Sequence, residues 1–248
     1  SPLLFSSLAY AQSAPRVALV SRGVPVPDAD KAYVEHLTRQ GWDVTPIDDD
    51  KVRASGRNAI RGYDLVVISS TVYPSRIQGR LRGAPEPIIV AEHQLFPAFG
   101  LTGRNSGDRG LTSWSRKINI VRPIDPMAAG FDREVYVSTK AKSMNFGKAG
   151  SDAYVIATAS GSPDQAVIFA YEQGGELADG TTASGPRVGF FMSQVLPRLA
   201  NRDGWALFDA AAAWASPNAP DGTNVATREE PVAEADGALL GANVSRES

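Results

Sequence analysis

The segment PIIVAEHQLF, Pro87 to Phe96, decides how this chain is read. It has the form of a buried strand running into a polar corner, the place where an enzyme of α/β build sets its nucleophile. The corner holds Glu92 and His93, and the whole chain contains no cysteine.

Working outward from this strand, the upstream pattern alternates strands with helices. RVALVSRG, an apolar run ending at Gly23, reads as a buried first strand. Asp28 or Asp30 is the expected cap of a helix over ADKAYVEHLTRQ, where Tyr33, Val34 and Leu37 fall at helical spacing and Gly41 supplies the stop. His36, between Val34 and Leu37, reads as a boundary residue. WDVTPIDDD is a second strand. YDLVVISST is a third, so continuous in aliphatic residues that both of its faces should be buried. SRIQGRLRG is a short helix and EPIIVAEH the fourth strand. This alternation predicts right-handed crossovers and a parallel sheet.

Downstream the character changes. Between Arg104 and Pro186, RKINIVRP, REVYVST, DAYVIATAS and QAVIFAYE read as strands, separated by the turn clusters GSPD and QGGELADGTTASGP. They are expected as antiparallel additions to the sheet edge. PRVGFFMSQ returns as a core strand. DGWALFDAAAAWAS closes the domain as a helix whose packing stripe is Trp205, Phe208, Ala212 and Ala215.

Composition bounds the possibilities. With 248 residues, 43% hydrophobic and 21% charged, the chain holds one substantial α/β domain plus tails, or two small domains. A net charge of −2 without a dominant Lys/Arg cluster gives no expectation of nucleic acid as a partner. Zero cysteines exclude disulfides, thiolate metal sites and a thiol nucleophile, and two histidines argue against a multi-histidine metal centre. The opening SPLLFSSLAYAQSAPR is apolar and rich in small residues, and Ala9-Tyr10-Ala11 fits an A-x-A cleavage site. Residues 1–14 therefore read as a signal-peptide remnant or, in the rival reading, an extended arm. Residues 15–216 read as the α/β domain. Residues 217–248 form a polar tail with six acids and two arginines, too polar to build a core alone. No run approaches the roughly 20 apolar residues of a membrane span. The expectation is a secreted, periplasmic or extracellular protein without a membrane span.

Several stretches carry a family likeness: GYDLVVISS, PIIVAEH, VRPIDPMAAGF, IFAYEQGG and PRVGFF followed by DGWALFDAAAAWA. Over Arg16 to Ser216 the chain resembles the class I glutamine amidotransferase-like superfamily, closest to its trehalose-utilisation-type and secreted branches. That resemblance implies a flavodoxin-like α/β fold: a parallel-core sheet flanked by helices, here with antiparallel β additions in the middle of the chain. It also implies where catalysis would sit, and there the set fails. The strand matching PIIVAE ends, in the active branch, in a nucleophilic cysteine on a sharp elbow; here Glu92 holds that position. The active branch places a histidine just beyond the strand matching RVGFF; here Met192, Ser193 and Gln194 follow. Without a thiol and its base, glutaminase chemistry has neither nucleophile nor proton shuttle.

Other chemistry at this corner has its candidates. Glu92 could serve as a general base, or hydrolyse a glycosidic bond with an acid from Asp48, Asp49 or Asp50 after strand two. The alternative is that Glu92 accepts backbone N–H groups at the elbow while His93 packs under a loop; neighbours in an extended segment point opposite ways and need not share a site. Asp48 to Asp50 carry the oxygen ligands of a Mg²⁺ or Ca²⁺ site, yet three acids after a strand read as a solvated helix start. SRGVPVPD lacks the G-x-G-x-x-G spacing, and G-x-S-x-G is absent. No metal and no cofactor is expected. Ser69, Ser70 and Thr71 at a strand end either touch a ligand or satisfy their own turn. Tyr73 and Trp114, in predicted loops, either stack on a sugar ring or cover the core. Two functional classes follow. One is a non-catalytic exported structural or binding protein, self-assembling as a homo-oligomer through its terminal extensions by strand addition. The other is a secreted carbohydrate-active hydrolase using Glu92 with an acid at Asp48–Asp50.

Overall fold

The computed structural model describes residues 13–220. Four strands come first: β1 (Arg16–Ser21), β2 (Asp43–Asp48), β3 (Leu65–Ile68) and β4 (Ile88–Val90), all mutually parallel in the order β2-β1-β3-β4. The chain then makes a long excursion through β5 (Arg109–Leu111), β6 (Lys117–Ile120), β7 (Glu134–Tyr136), β8 (Asn145–Gly147), β9 (Tyr154–Ala159) and β10 (Ser162–Tyr171). It returns as β11 (Arg187–Phe190), parallel to β4 and antiparallel to β10. The full order is β2-β1-β3-β4-β11-β10-β9-β6-β7, with β8 on β10 and β5 on β8. Taken in chain order, the parallel strands run 2-1-3-4-5, the flavodoxin-like arrangement, and the connections reverse direction between β1 and β3. The antiparallel additions extend the sheet beyond β11, as their sequence patterns predict.

Side-chain alternation along the strands builds two layers. Val17 and Leu19 of β1 face α1 (Asp28–Arg39) and a C-terminal helix, Arg202–Ala215, meeting Tyr33, Leu37, Leu207 and Phe208. Ala18 and Val20 face the opposite layer, with Val52 of α2 (Asp49–Ser55) and Ile77 of α3 (Pro74–Ile77). Because β3 is buried at all four positions, its unbroken aliphatic run fits a strand covered on both faces. After α4 (Leu196–Leu199), the Arg202–Ala215 helix becomes α5; Asn201 caps it by accepting from Gly204 N at 2.9 Å. Gly204 is required by contact: a Cβ there would lie 2.2 Å from the Val137 carbonyl oxygen just after β7.

One buried cation pins the sheet's centre. Arg187, 1% exposed, donates to the carbonyls of Glu86 and Pro186 at 2.9 Å, Arg82 at 3.1 Å, and Ala84. These bonds fasten the start of β11 to the turn that feeds β4. Burial pushes Arg187 down to about 10, so it stays charged at neutral pH.

Several local expectations need correcting. Neither Asp28 nor Asp30 caps α1, which begins after Pro27 without a side-chain cap. Asp28 instead pairs with Lys31 at the surface, and Asp30 turns inward to β3. SRIQGRLRG yields a single helical turn, since Gln78 leaves the helix at φ 43°. The GSPD cluster is mostly strand: β10 begins at Ser162. β5 and β8 were not anticipated, being three residues each and held by pairing of β5 on β8 and of β8 on β10. His36 is no boundary residue: its Nε2 lies 2.6 Å from Asp209 Oδ1 between α1 and α5, with the Trp205 ring stacked at 4.0 Å.

The arm or signal remnant at 1–14 and the tail at 217–248 fall almost wholly outside the described residues. Among the described residues, no helix is long and apolar enough to cross a membrane.

Candidate functional site

A cleft of about 540 Å³ opens at the C-terminal ends of β1, β3, β4 and β11. It lies at the sheet edge where the connections reverse, the position at which open α/β sheets bind ligands. Each strand end supplies part of it.

At the end of β4, Glu92 is 7% exposed and its Oε1 accepts from Gln94 N at 2.9 Å, closing the turn into a 3-10 segment, His93–Leu95. Burial raises the Glu92 carboxyl above its ordinary range, against the lowering effect of that backbone bond. His93 follows, and Asn145 of β8 sets its state. The Asn145 amide nitrogen donates to the carbonyls of Ala91 at 2.7 Å and Phe190 at 3.3 Å, which turns Oδ1 toward His93 Nδ1 at 3.1 Å. Oδ1 only accepts, so Nδ1 carries the proton and Nε2 of the neutral ring is left as an acceptor. Burial holds the imidazole below its ordinary value, the Asn145 bond opposes it, and the Arg109 charge adds to the lowering. Glu92 Oε1 stands 3.4 Å from His93 Nδ1, so the two neighbours do converge. Both are displaced toward their neutral forms, and the contact is not a strong ion pair.

The end of β3 is organised from beneath. Asp30, fully buried, accepts from Ser69 Oγ and Thr71 Oγ1, each at 2.5 Å, and Ser69 Oγ accepts from Thr71 N at 3.1 Å. Desolvation raises the Asp30 carboxyl, with both hydroxyls and Arg22 pulling it back. This holds the turn that presents Ser70, Thr71 and Tyr73 to the cleft. Ser70 Oγ accepts from Gln194 N, linking the ends of β3 and β11. Gln194 has φ 41°, a left-handed conformation that costs a non-glycine residue roughly 1 kcal/mol or more and gathers at functional sites. Tyr73 is 44% exposed, but the guanidinium carbons of Arg76 and Arg22 sit 4.5 Å and 5.2 Å from its ring centroid. The ring is therefore not a free platform for a sugar.

The other candidates lie elsewhere. Asp48 Oδ1 accepts from Asp50 N and caps α2. Asp49, buried, accepts from Tyr73 N and Arg76 Nη1, both at 2.7 Å, and Asp50 pairs with Arg53 and Arg76. The three carboxylates converge within 4.8 Å, yet their oxygens serve the helix start and Arg76. β2 stands three strands from β4, roughly 14 Å at about 4.8 Å per strand. Paired glycosidase carboxyls lie roughly 5–9.5 Å apart, so the geometry does not bring Glu92 together with Asp48, Asp49 or Asp50. Trp114 is 72% exposed beneath Lys142, whose Nζ is 4.8 Å from its ring, and it does not line the cleft.

Sequence reasoning missed Asn145, Asp30, Arg22 and Gln194. Asn145 sits on a three-residue strand without a readable pattern, and Asp30 looks like one more acid at a helix start. Only the placement of Gln194 beyond the last core strand was a usable signal.

No protein-family model and no curated protein matches the sequence. Solved structures do. A protein from Thermoplasma acidophilum assigned as part of a GMP synthase is 15% identical, over 82% of this chain and 96% of its own, with a TM-score of 0.51. A protein assigned as ThuA-like from Parabacteroides merdae is 10% identical, over 89% and 94%, at a TM-score of 0.49. A glutamine amidotransferase from Thermotoga maritima is 11% identical, over 73% and 76%, at 0.44. The first of these carries the fold: the chain shares the α/β architecture of that protein.

Proposed function

We propose that this chain is a non-catalytic binding module, built on an amidotransferase-like fold, that holds a small hydroxyl-bearing ligand of carbohydrate type in the cleft above β3, β4 and β11. The observation that carries this reading is Glu92. It stands where the resemblance places a thiol, is buried, and has one carboxylate oxygen committed to the Gln94 N–H that forms the turn. Around it the lining offers donors and acceptors in mixed register: the hydroxyls of Ser70, Thr71 and Tyr73, the amides of Gln94 and Gln194, and the His93 Nε2 lone pair. Groups that both donate and accept suit polyol and sugar hydroxyls. Chemical-shift mapping with a panel of monosaccharides and polyols tests it: shifts confined to residues 70–74, 92–94 and 193–195 support binding, retained in Glu92→Gln. Turnover of any sugar that Glu92→Gln abolishes would make the protein an enzyme and end this reading.

Export, read from the A-x-A pattern within residues 1–14, and self-assembly through the terminal segments belong to the same proposal. Fractionation of the expressing cell tests the first. Negative-stain microscopy of the natively processed protein tests the second, where dispersed single particles count against it.

A further inference from the structure

Beside the main cleft lies a second recess of about 400 Å³, reached past His93 and Gln94, which line both. The remaining walls are Arg104, Ser106, Gly107 and Arg109. The two halves differ in charge. The main cleft mixes hydroxyls, amides, Glu92 and Arg22, whereas the recess has two guanidinium groups and no carboxylate.

Neither of these arginines is neutralised within the fold. Among the described residues, no ion pair is formed by Arg104 or Arg109. The acid nearest in sequence, Asp108, turns into its own loop: Oδ2 accepts from Asn105 N at 2.8 Å and packs against Gly103. Arg109 is half-buried, and its Nε is buried without a hydrogen-bond partner. A buried, unmatched donor of this kind is unfavourable, and an oxyanion accepting from it would relieve that cost. The arginine is also held in place from behind. Its backbone pairs with Gly147 as β5 docks on β8, two residues from Asn145, which orients His93. Burial, with a smaller part from the Arg109 charge, holds His93 toward its neutral form, so the charge of the recess is that of the two arginines. Guanidinium groups present planar forks that match carboxylate and phosphate oxygens.

We propose that Arg104 and Arg109 form an oxyanion subsite, and that the ligand of the main cleft carries a carboxylate or phosphate group that lies there, past His93. This rests on the reading of the main cleft given above. Titration calorimetry of the full chain with glucose, glucuronate, glucose 6-phosphate and inorganic phosphate tests it. The anionic sugars are expected to bind about tenfold or more tighter than glucose, as for an added charge-assisted hydrogen bond. The stronger of the two identifies the carboxylate or the phosphate as the group preferred. Arg109→Gln should remove the difference between the anionic sugars and glucose. Arg104→Gln, at an exposed position that the fold does not use, should reduce it without any question of misfolding. Equal binding of glucose and both anionic sugars overturns the subsite and leaves the main-cleft reading standing. Binding of inorganic phosphate that both variants weaken, with no sugar bound at all, keeps the subsite and overturns the main-cleft reading. No binding by any probe overturns both.

Discussion

Gly204→Ala is the sharpest test of how this fold is packed, because two lines of physical reasoning give opposite signs. Gly204 is the third residue of α5, and helix propensity alone favours alanine over glycine by about 0.8–1 kcal/mol. Yet the added Cβ would lie 2.2 Å from the Val137 carbonyl oxygen, a backbone atom that no rotamer change can remove. Relief requires the start of α5 to move away from the chain after β7. That movement strains the bonds from Asn201 N to Val137 O at 3.2 Å and from Asn201 Nδ2 to Tyr136 O at 2.8 Å. Overpacking costs about 1–3 kcal/mol, and each weakened bond about 1 kcal/mol more. After subtracting the propensity gain, the expected net loss is roughly 3 kcal/mol, a fall in Tm of about 6–12 °C for a domain of this size. Urea and thermal unfolding followed by circular dichroism would read it. Ala206→Gly, further along the same helix, serves as the propensity control and should lose about 1 kcal/mol. A Gly204→Ala variant as stable as the parent, or more so, would refute the close approach of α5 to Val137.

Three further outcomes follow from the same geometry. Arg187→Met takes the guanidinium donor from the carbonyls of Arg82, Ala84 and Glu86, and one of two donors from that of Pro186, and should cost about 3–5 kcal/mol in urea unfolding; a loss below about 1 kcal/mol would remove Arg187 as the pin between β11 and the turn before β4. The Glu92 carboxyl, raised by burial, binds its proton more tightly in the folded chain than in the unfolded one. Its contribution is thus present below the ordinary 4.5 and lost as pH rises through the folded value. Glu92→Gln does not titrate, so its stability relative to the parent should rise between pH 4 and pH 8; unfolding midpoints that keep a constant separation across that range count against a desolvated Glu92. Millimolar Mg²⁺ or Ca²⁺ should leave Tm unchanged, because the oxygens of Asp48, Asp49 and Asp50 are engaged by the α2 start and by Arg76 and Arg53; a rise of several degrees would show a metal site there.

What the sequence determined by itself was the architecture and the absence of one chemistry. Apolar runs such as Arg16–Ser21 and Leu65–Ile68 can only be covered strands, and their alternation with Asp28–Arg39 and Arg202–Ala215 implies the layered sheet that is found. Periodicity is a local property, so it survives in a single sequence. The missing cysteine is likewise a fact of composition, and it removes thiol catalysis whatever the fold. The tertiary structure alone decided what the corner after β4 contains. Glu92 and His93 were visible, but Asn145, 52 residues beyond His93, fixes the imidazole, and Asp30, 39 residues before Ser69, holds the β3 turn. Asp48 to Asp50 looked like partners for Glu92 and are not, because strand order rather than chain order sets the spacing at a sheet edge. Buried polar groups must find partners wherever the fold brings them, and those partners are chosen by topology, which leaves no periodic trace along the chain.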